Sequence, residues 1–207
     1  MSVEEGNMPL FIKSQLKADL HSLLANLHSL YDSIGESDCC VLNDFEKMNK
    51  QFKSIHSFAA SYYLQSYLEP FTDYMEMLTA SAQQFSEKRH GALIAIKRKD
   101  NLENFVHSGV TLNAQLSSNL LEAIFYPGNP LHDGGVLIDK DMILSAANIF
   151  PTSQFYNGKD KLGTRHRAAI GITEQTDALV IVVSEETGRI SFSIDGQLFP
   201  VQTSAFM

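Results

Sequence analysis

The sequence predicts an α/β domain, a mixed β-sheet flanked by helices, preceded by an N-terminal two-helix hairpin. Three observations carry this. Apolar residues before position 62 recur at heptad spacing. Beyond Lys88 the pattern changes to short β-rich runs bounded by turn residues. Two short helical segments are interleaved with those runs, which puts helices over the faces of a sheet of about five to seven strands. At 207 residues the chain accommodates one well-buried core and one extension.

In order along the chain, Leu16, Leu20, Leu23, Leu27, Leu30 and Ile34 keep one seam on one helix face until Gly35. Ser37 or Asp38 can cap a second helix, whose seam is Val41, Phe45, Met48, Phe52, Ile55, Ala59 and Tyr62. A few intervening residues make the pair an antiparallel hairpin. Two narrow seams bury little alone, so the hairpin must pack on the rest of the chain or on another subunit. The division is residues 1–62 for the hairpin and 63–207 for the second domain. Pro70 suits a helix's first turn, so "PFTDYMEMLTASAQQFSEK" reads as a third helix. "GALIAIKR" is a buried strand, and "SSNLLEAIF" a serine-capped helix stopped by "YPGNP". "GGVLI" and "MILSAANIF" form a hairpin around "DKD", and "ALVIVV" and "RISFSI" another around "SEETG". Between them "RHRAAIGIT" is a short helix with Thr164 as its cap.

A formal net charge of −8 argues against nucleic acid as a partner, because Lys and Arg on phosphates supply most of that affinity. The acidic start "MSVEEGNMPLF" has no leader pattern, and no apolar run approaches the roughly 20 residues that span a bilayer, so a cytoplasmic protein with no membrane partner is expected. Cys39 and Cys40 are adjacent, unsuited to an unstrained disulfide, and read as reduced thiols.

Against this background "KLGTRHRAAIG" is anomalous. It places Arg165, His166 and Arg167 in a helix's first turn, where the dipole is positive and each cation costs about 0.3–1 kcal/mol. An anion reverses the sum, since a hydrogen bond from a charged donor is worth about 1.5–3 kcal/mol and free backbone N–H groups add to it. Lys159 and Lys161 make the preceding loop basic as well. A phosphate-rich ligand is therefore the economical explanation. In "PLHDGGVLIDK", Asp133 stands at the mouth of an apolar strand, with Gly134 and Gly135 leaving the backbone open to a ligand. Such a carboxylate can hold Mg²⁺ or Mn²⁺ and take a proton from a hydroxyl, while His132 joins the metal's shell or orients it. Ser184 and Glu185 leave the end of another buried strand.

"LHDGGVLI", "LGTRHRAAIGI" and "VSEETG", with "GALIAI" and "NIFPTS", resemble the diadenylate cyclase family, which joins two ATP into cyclic di-AMP. The resemblance covers roughly residues 66–203. The short chain with a helical extension is similar to the soluble, sporulation-associated type. The resemblance implies catalytic roles for Asp133 and Gly134, with Asp133 contacting metal and activating the ribose 3′-hydroxyl, and for Arg165, His166 and Arg167. It implies ATP binding by these residues with Gly163, Thr164, Ser184 and Glu185, and an adenine pocket at Asn148, Ile149 and Phe150. Metal contacts fall to Asp133, His132 and Glu185. The family motif is D-G-A, whereas here the third residue is Gly135, which is expected to loosen the backbone. The resemblance also implies a homo-oligomer in which two catalytic faces meet, each holding one ATP. The hairpin is expected to inhibit by holding subunits in a larger assembly that keeps the faces apart, so that removing residues 1–62 raises activity. The alternative is a nucleotide sensor of the same fold that turns nothing over.

Overall fold

The computed structural model describes residues 8–34, 41–154 and 162–202. Gly35, Ser37, Asp38, Cys39, Cys40, Lys159 and Lys161 lie outside the described residues. Helices α1 (Leu10–Ser33) and α2 (Val41–Leu68) form the expected hairpin. They are clamped by Asn26 Nδ2 donating to Gln51 Oε1 at 2.8 Å and by Gln51 Nε2 donating to Ser22 Oγ at 3.1 Å. The seams pair only in part. Leu30, Met48 and Ile55 are buried, whereas Leu20, Leu27, Phe45 and Phe52 remain 44–55% exposed.

Helix α2 runs unbroken through residue 62, where the hairpin was divided from the second domain. Its last turns carry Ala60, Leu64 and Leu68 into the main core. Ser61 Oγ also accepts from the Gln202 amide at 3.0 Å. Pro70 does not open the third helix, because α3 (Met75–Lys88) starts after a turn in which Thr72 Oγ1 accepts from Tyr74 N and donates to the Lys140 carbonyl. The turn satisfies these groups locally, and the helix waits for the first residues that face the core.

The remaining elements are β1 (Ala92–Ile96), a single 3-10 turn (Glu103–Phe105), β2 (Val110–Gln115), α4 (Ser118–Phe125), β3 (Gly135–Asp139), β4 (Met142–Asn148), α5 (Thr164–Thr173), β5 (Leu179–Val183), β6 (Ile190–Ile194) and β7 (Gln197–Pro200). The seven strands form one sheet in the order β2-β4-β3-β1-β5-β6-β7, with β1 and β3 parallel and every other pair antiparallel. Alternation along the strands sorts side chains to two cores. Ala92, Ile94, Ile96, Ile181 and Val183 face α2, α3 and α4. Leu93, Ala95, Val180 and Val182 face α5. Ser117 Oγ caps α4 by accepting from the Leu120 amide, as its sequence predicts. Thr164 does not cap α5. It is the helix's first residue, Gly163 is the N-cap, and no side chain among the described residues caps the helix.

Candidate active site

Strand direction decides which loops can meet. Because β3 runs parallel to β1 while β4 and β5 oppose their neighbours, the starts of β1 and β3 and the ends of β4 and β5 lie at one edge of the sheet. Gly91, Asp133, Ile149 and Ser184 all border those strand ends. This is the amino end of the parallel pair, opposite to the carboxyl end where parallel α/β sheets usually bind ligands.

Arg165 ties the loops together. Its Nη1 donates to Glu185 Oε2 at 2.7 Å and its Nη2 to the His132 carbonyl at 3.4 Å. One guanidinium from the first turn of α5 thus joins the turn after β5 to the loop before β3. Its Nε is buried with no hydrogen-bond partner among the described residues. The Arg165 side chain is 20% exposed and that of Glu185 61%, so the pair lies at the surface rather than in the core. Asp133 is exposed and forms no hydrogen bond or ion pair among the described residues.

The glycines after Asp133 serve close approach. Gly134 has φ 113°, and a Cβ there would lie 2.7 Å from the Ala147 carbon and the Asn148 oxygen, so only glycine fits. The chain is then held by Asn148, whose Nδ2 donates to the Gly135 carbonyl at 2.8 Å while its Oδ1 accepts from Ser145. A Cβ on Gly135 would lie 2.2 Å from the Phe150 ring. The departure from D-G-A is therefore filled from within the chain: Phe150 takes the space of the missing methyl, and the backbone is packed rather than loosened. Asn148 and Phe150 are 1% and 3% exposed and Ile149 is 61% exposed, and Ile149 and Phe150 both line one surface pocket with Phe105, His107 and Pro151.

His166 is half-buried, and its imidazole is held below its ordinary pKa first by burial and then by the Arg165 cation, against an opposing pull from Glu186. Arg167 is exposed, with Nη2 donating to the Ser153 carbonyl at 3.4 Å, while its own carbonyl accepts from Ser153 N at 3.0 Å. Gly163 and Thr164 are exposed at the start of α5. Ser184 closes its own turn, its Oγ accepting from Thr187 N at 3.2 Å. The His132 ring lies against the Asn129 carbonyl. Among the described residues no group of three His, Cys, Asp or Glu gathers as a ready metal cage. The donors still suit a hard cation that takes most of its shell from phosphate and water, since Asp133 is open and only one Glu185 oxygen is engaged. Gly91, beneath Arg165, escaped sequence reasoning. Its signal was a glycine set directly before an apolar strand, the pattern that marked Gly134 and Gly135.

Residues 79–198 match the family described as "DisA bacterial checkpoint controller nucleotide-binding", and residues 8–71 match "Diadenylate cyclase CdaS, N-terminal". Diadenylate cyclase CdaS of Bacillus thuringiensis is 44% identical over 92% of this chain and 94% of its own. The chain belongs to the diadenylate cyclase family. Cyclic di-AMP synthase CdaS of Bacillus subtilis is 43% identical over 91% of each chain. A Bacillus cereus structure titled a hypothetical membrane spanning protein, 44% identical, superposes with a TM-score of 0.74 over 92% of this chain and 94% of that one. A double mutant of DacA from Staphylococcus aureus, 37% identical, gives 0.60 over 63% of this chain and 88% of that one. No described helix here is long and apolar enough to cross a membrane. Diadenylate cyclase membership covers both the hairpin and the sheet domain, and the three motifs that resembled the family lie in the matched region.

Proposed function

We propose that this protein condenses two ATP molecules into cyclic di-AMP and two pyrophosphates at a centre formed by Asp133, Glu185 and the first turn of α5. The observation that carries this reading is the Arg165 guanidinium, which brings three motifs far apart in sequence to one strand edge. Arg165, Arg167 and the free N–H groups at the start of α5 take the triphosphate. A neutral His166 can donate one hydrogen bond to a phosphate oxygen. Ile149 supplies an apolar surface for adenine. Asp133 accepts the proton of the ribose 3′-hydroxyl as the new O3′–Pα bond forms and the Pα–O bond to pyrophosphate breaks. A Mg²⁺ or Mn²⁺ ion, held by Asp133 with Glu185 and His132 alongside, would neutralise charge on the phosphates.

Ring closure needs the same attack in both directions, so two sites face each other across a two-fold axis and a dimer of catalytic faces is the working unit. ATP as substrate places that work in the cytoplasm. The hairpin leaves Leu20, Leu24, Leu27, Phe45 and Phe52 on its surface, an apolar stripe suited to pairing with other copies. Assembly through that stripe holds catalytic faces apart and lowers activity. Incubation with ATP and Mg²⁺ or Mn²⁺ should give cyclic di-AMP and pyrophosphate in a 1:2 ratio by mass spectrometry. ATP binding without that product would leave the sensor as the better reading.

A further inference from the structure

We infer that Gly91 is a positioning residue of this site, and that the space left by its missing side chain is what allows Arg165 to lock onto Glu185 and the His132 carbonyl. The inference rests on the functional reading above and deepens it. Gly91 is buried one residue before Ala92, which pairs with Val183 at the end of β5, so it lies beside the turn that carries Glu185. Its φ is not in the left-handed region that Gly128, Gly134, Gly188 and Gly196 occupy, so conformational freedom is not what selects glycine. Space is. A Cβ at Gly91 would lie 2.5 Å from Arg165 Nη1, 2.8 Å from its Cζ and 2.9 Å from Glu185 Oε2, and these are its three nearest contacts.

The identity of those contacts gives the inference its content. At Gly134 and Gly171 an added Cβ would meet backbone, and relief would require a strand or helix to move. At Gly91 its three nearest contacts are the far ends of two flexible side chains, which can swing aside at little cost to the fold. The movement would displace both partners of the 2.7 Å ion pair and pull Nη2 off the His132 carbonyl, the residue before Asp133. A methyl group at Gly91 therefore loosens the loop that carries the proton-accepting carboxylate while the sheet and its cores stand. The Asp133 loop keeps its other ties when the Arg165 bond to His132 is lost, since Asn148 still donates to the Gly135 carbonyl and Asn129 still accepts from the Leu131 and His132 amides.

The test compares the full-length parent with Gly91→Ala, each also in an Arg165→Lys background, where the two terminal guanidinium nitrogens are gone. Gly91→Ala should keep a melting temperature within a few degrees of the parent and lower kcat for cyclic di-AMP at least tenfold. It should also speed amide hydrogen exchange in residues 129–135 without changing the core strands. In the Arg165→Lys background the same substitution should change kcat less than twofold, because the group it acts through is already missing. An unchanged kcat and exchange pattern in Gly91→Ala would overturn the inference, as would equal losses in both backgrounds. Should the parent make no cyclic dinucleotide, the functional reading fails separately, and exchange at residues 129–135 alone decides the placement of Gly91.

Discussion

At the scale of single residues, the first turn of α5 carries two arginines where a helix disfavours cations, and the structure divides their work. Arg165 bonds Glu185 and the His132 carbonyl, whereas the exposed Arg167 donates to the Ser153 carbonyl. Between them His166 is held below its ordinary pKa of 6.5 by burial and by Arg165. Its contribution to stability is therefore complete above pH 6.5 and is lost as pH falls from there through the lowered folded value. His166→Gln should lose less stability than the parent between about pH 7.5 and pH 5.5 in urea titrations. Equal losses would show that this imidazole is not held neutral by the fold. ATP, by placing negative charge beside the ring, should narrow the difference.

At the scale of elements, the end of β4 and the residues just after it pack against the start of β3 through two side chains expected at the ligand. Asn148 ties β4 to the Gly135 carbonyl, and Phe150 packs where an alanine methyl would otherwise stand. Restoring the family's residue by Gly135→Ala should destabilise the protein by about 1–3 kcal/mol through overpacking. Gly135→Ala with Phe150→Leu should recover most of that loss, as read from denaturation midpoints; a double variant no better than the single would disprove the pairing. The buried strands were legible because each is a short apolar run between turns. The two edge strands were not. β2 is largely exposed and breaks register between Thr111 and Ala114, with Asn113 at φ 46°, and β7 has four residues ending in Pro200. Neither needs the apolar run that marks a buried strand. The residue types of the site were likewise legible from their charge, but which side chains turn inward was not, since the Gly135–Phe150 fit depends on two strands meeting.

At the scale of the whole molecule, the hairpin is part of the catalytic domain's core as well as an extension from it. Cutting at residue 62 would remove Ala60 from the core and Ser61 from its bond to Gln202, so that truncation should fold poorly. Deleting residues 1–34 removes α1 and keeps α2 intact. This variant should form smaller assemblies by light scattering and make cyclic di-AMP several-fold faster per subunit. A folded variant with unchanged or lower turnover would refute inhibition by assembly. In the proposed mechanism three loops, joined by Arg165 at the amino end of the parallel strands, form one ATP-condensing centre with Asp133 as its proton acceptor. Its most direct test is Asp133→Asn, measured for ATP binding by calorimetry and for product by mass spectrometry beside the parent. ATP affinity should stay within a few-fold of the parent, and no cyclic di-AMP should form. Synthesis at the parent rate would contradict it.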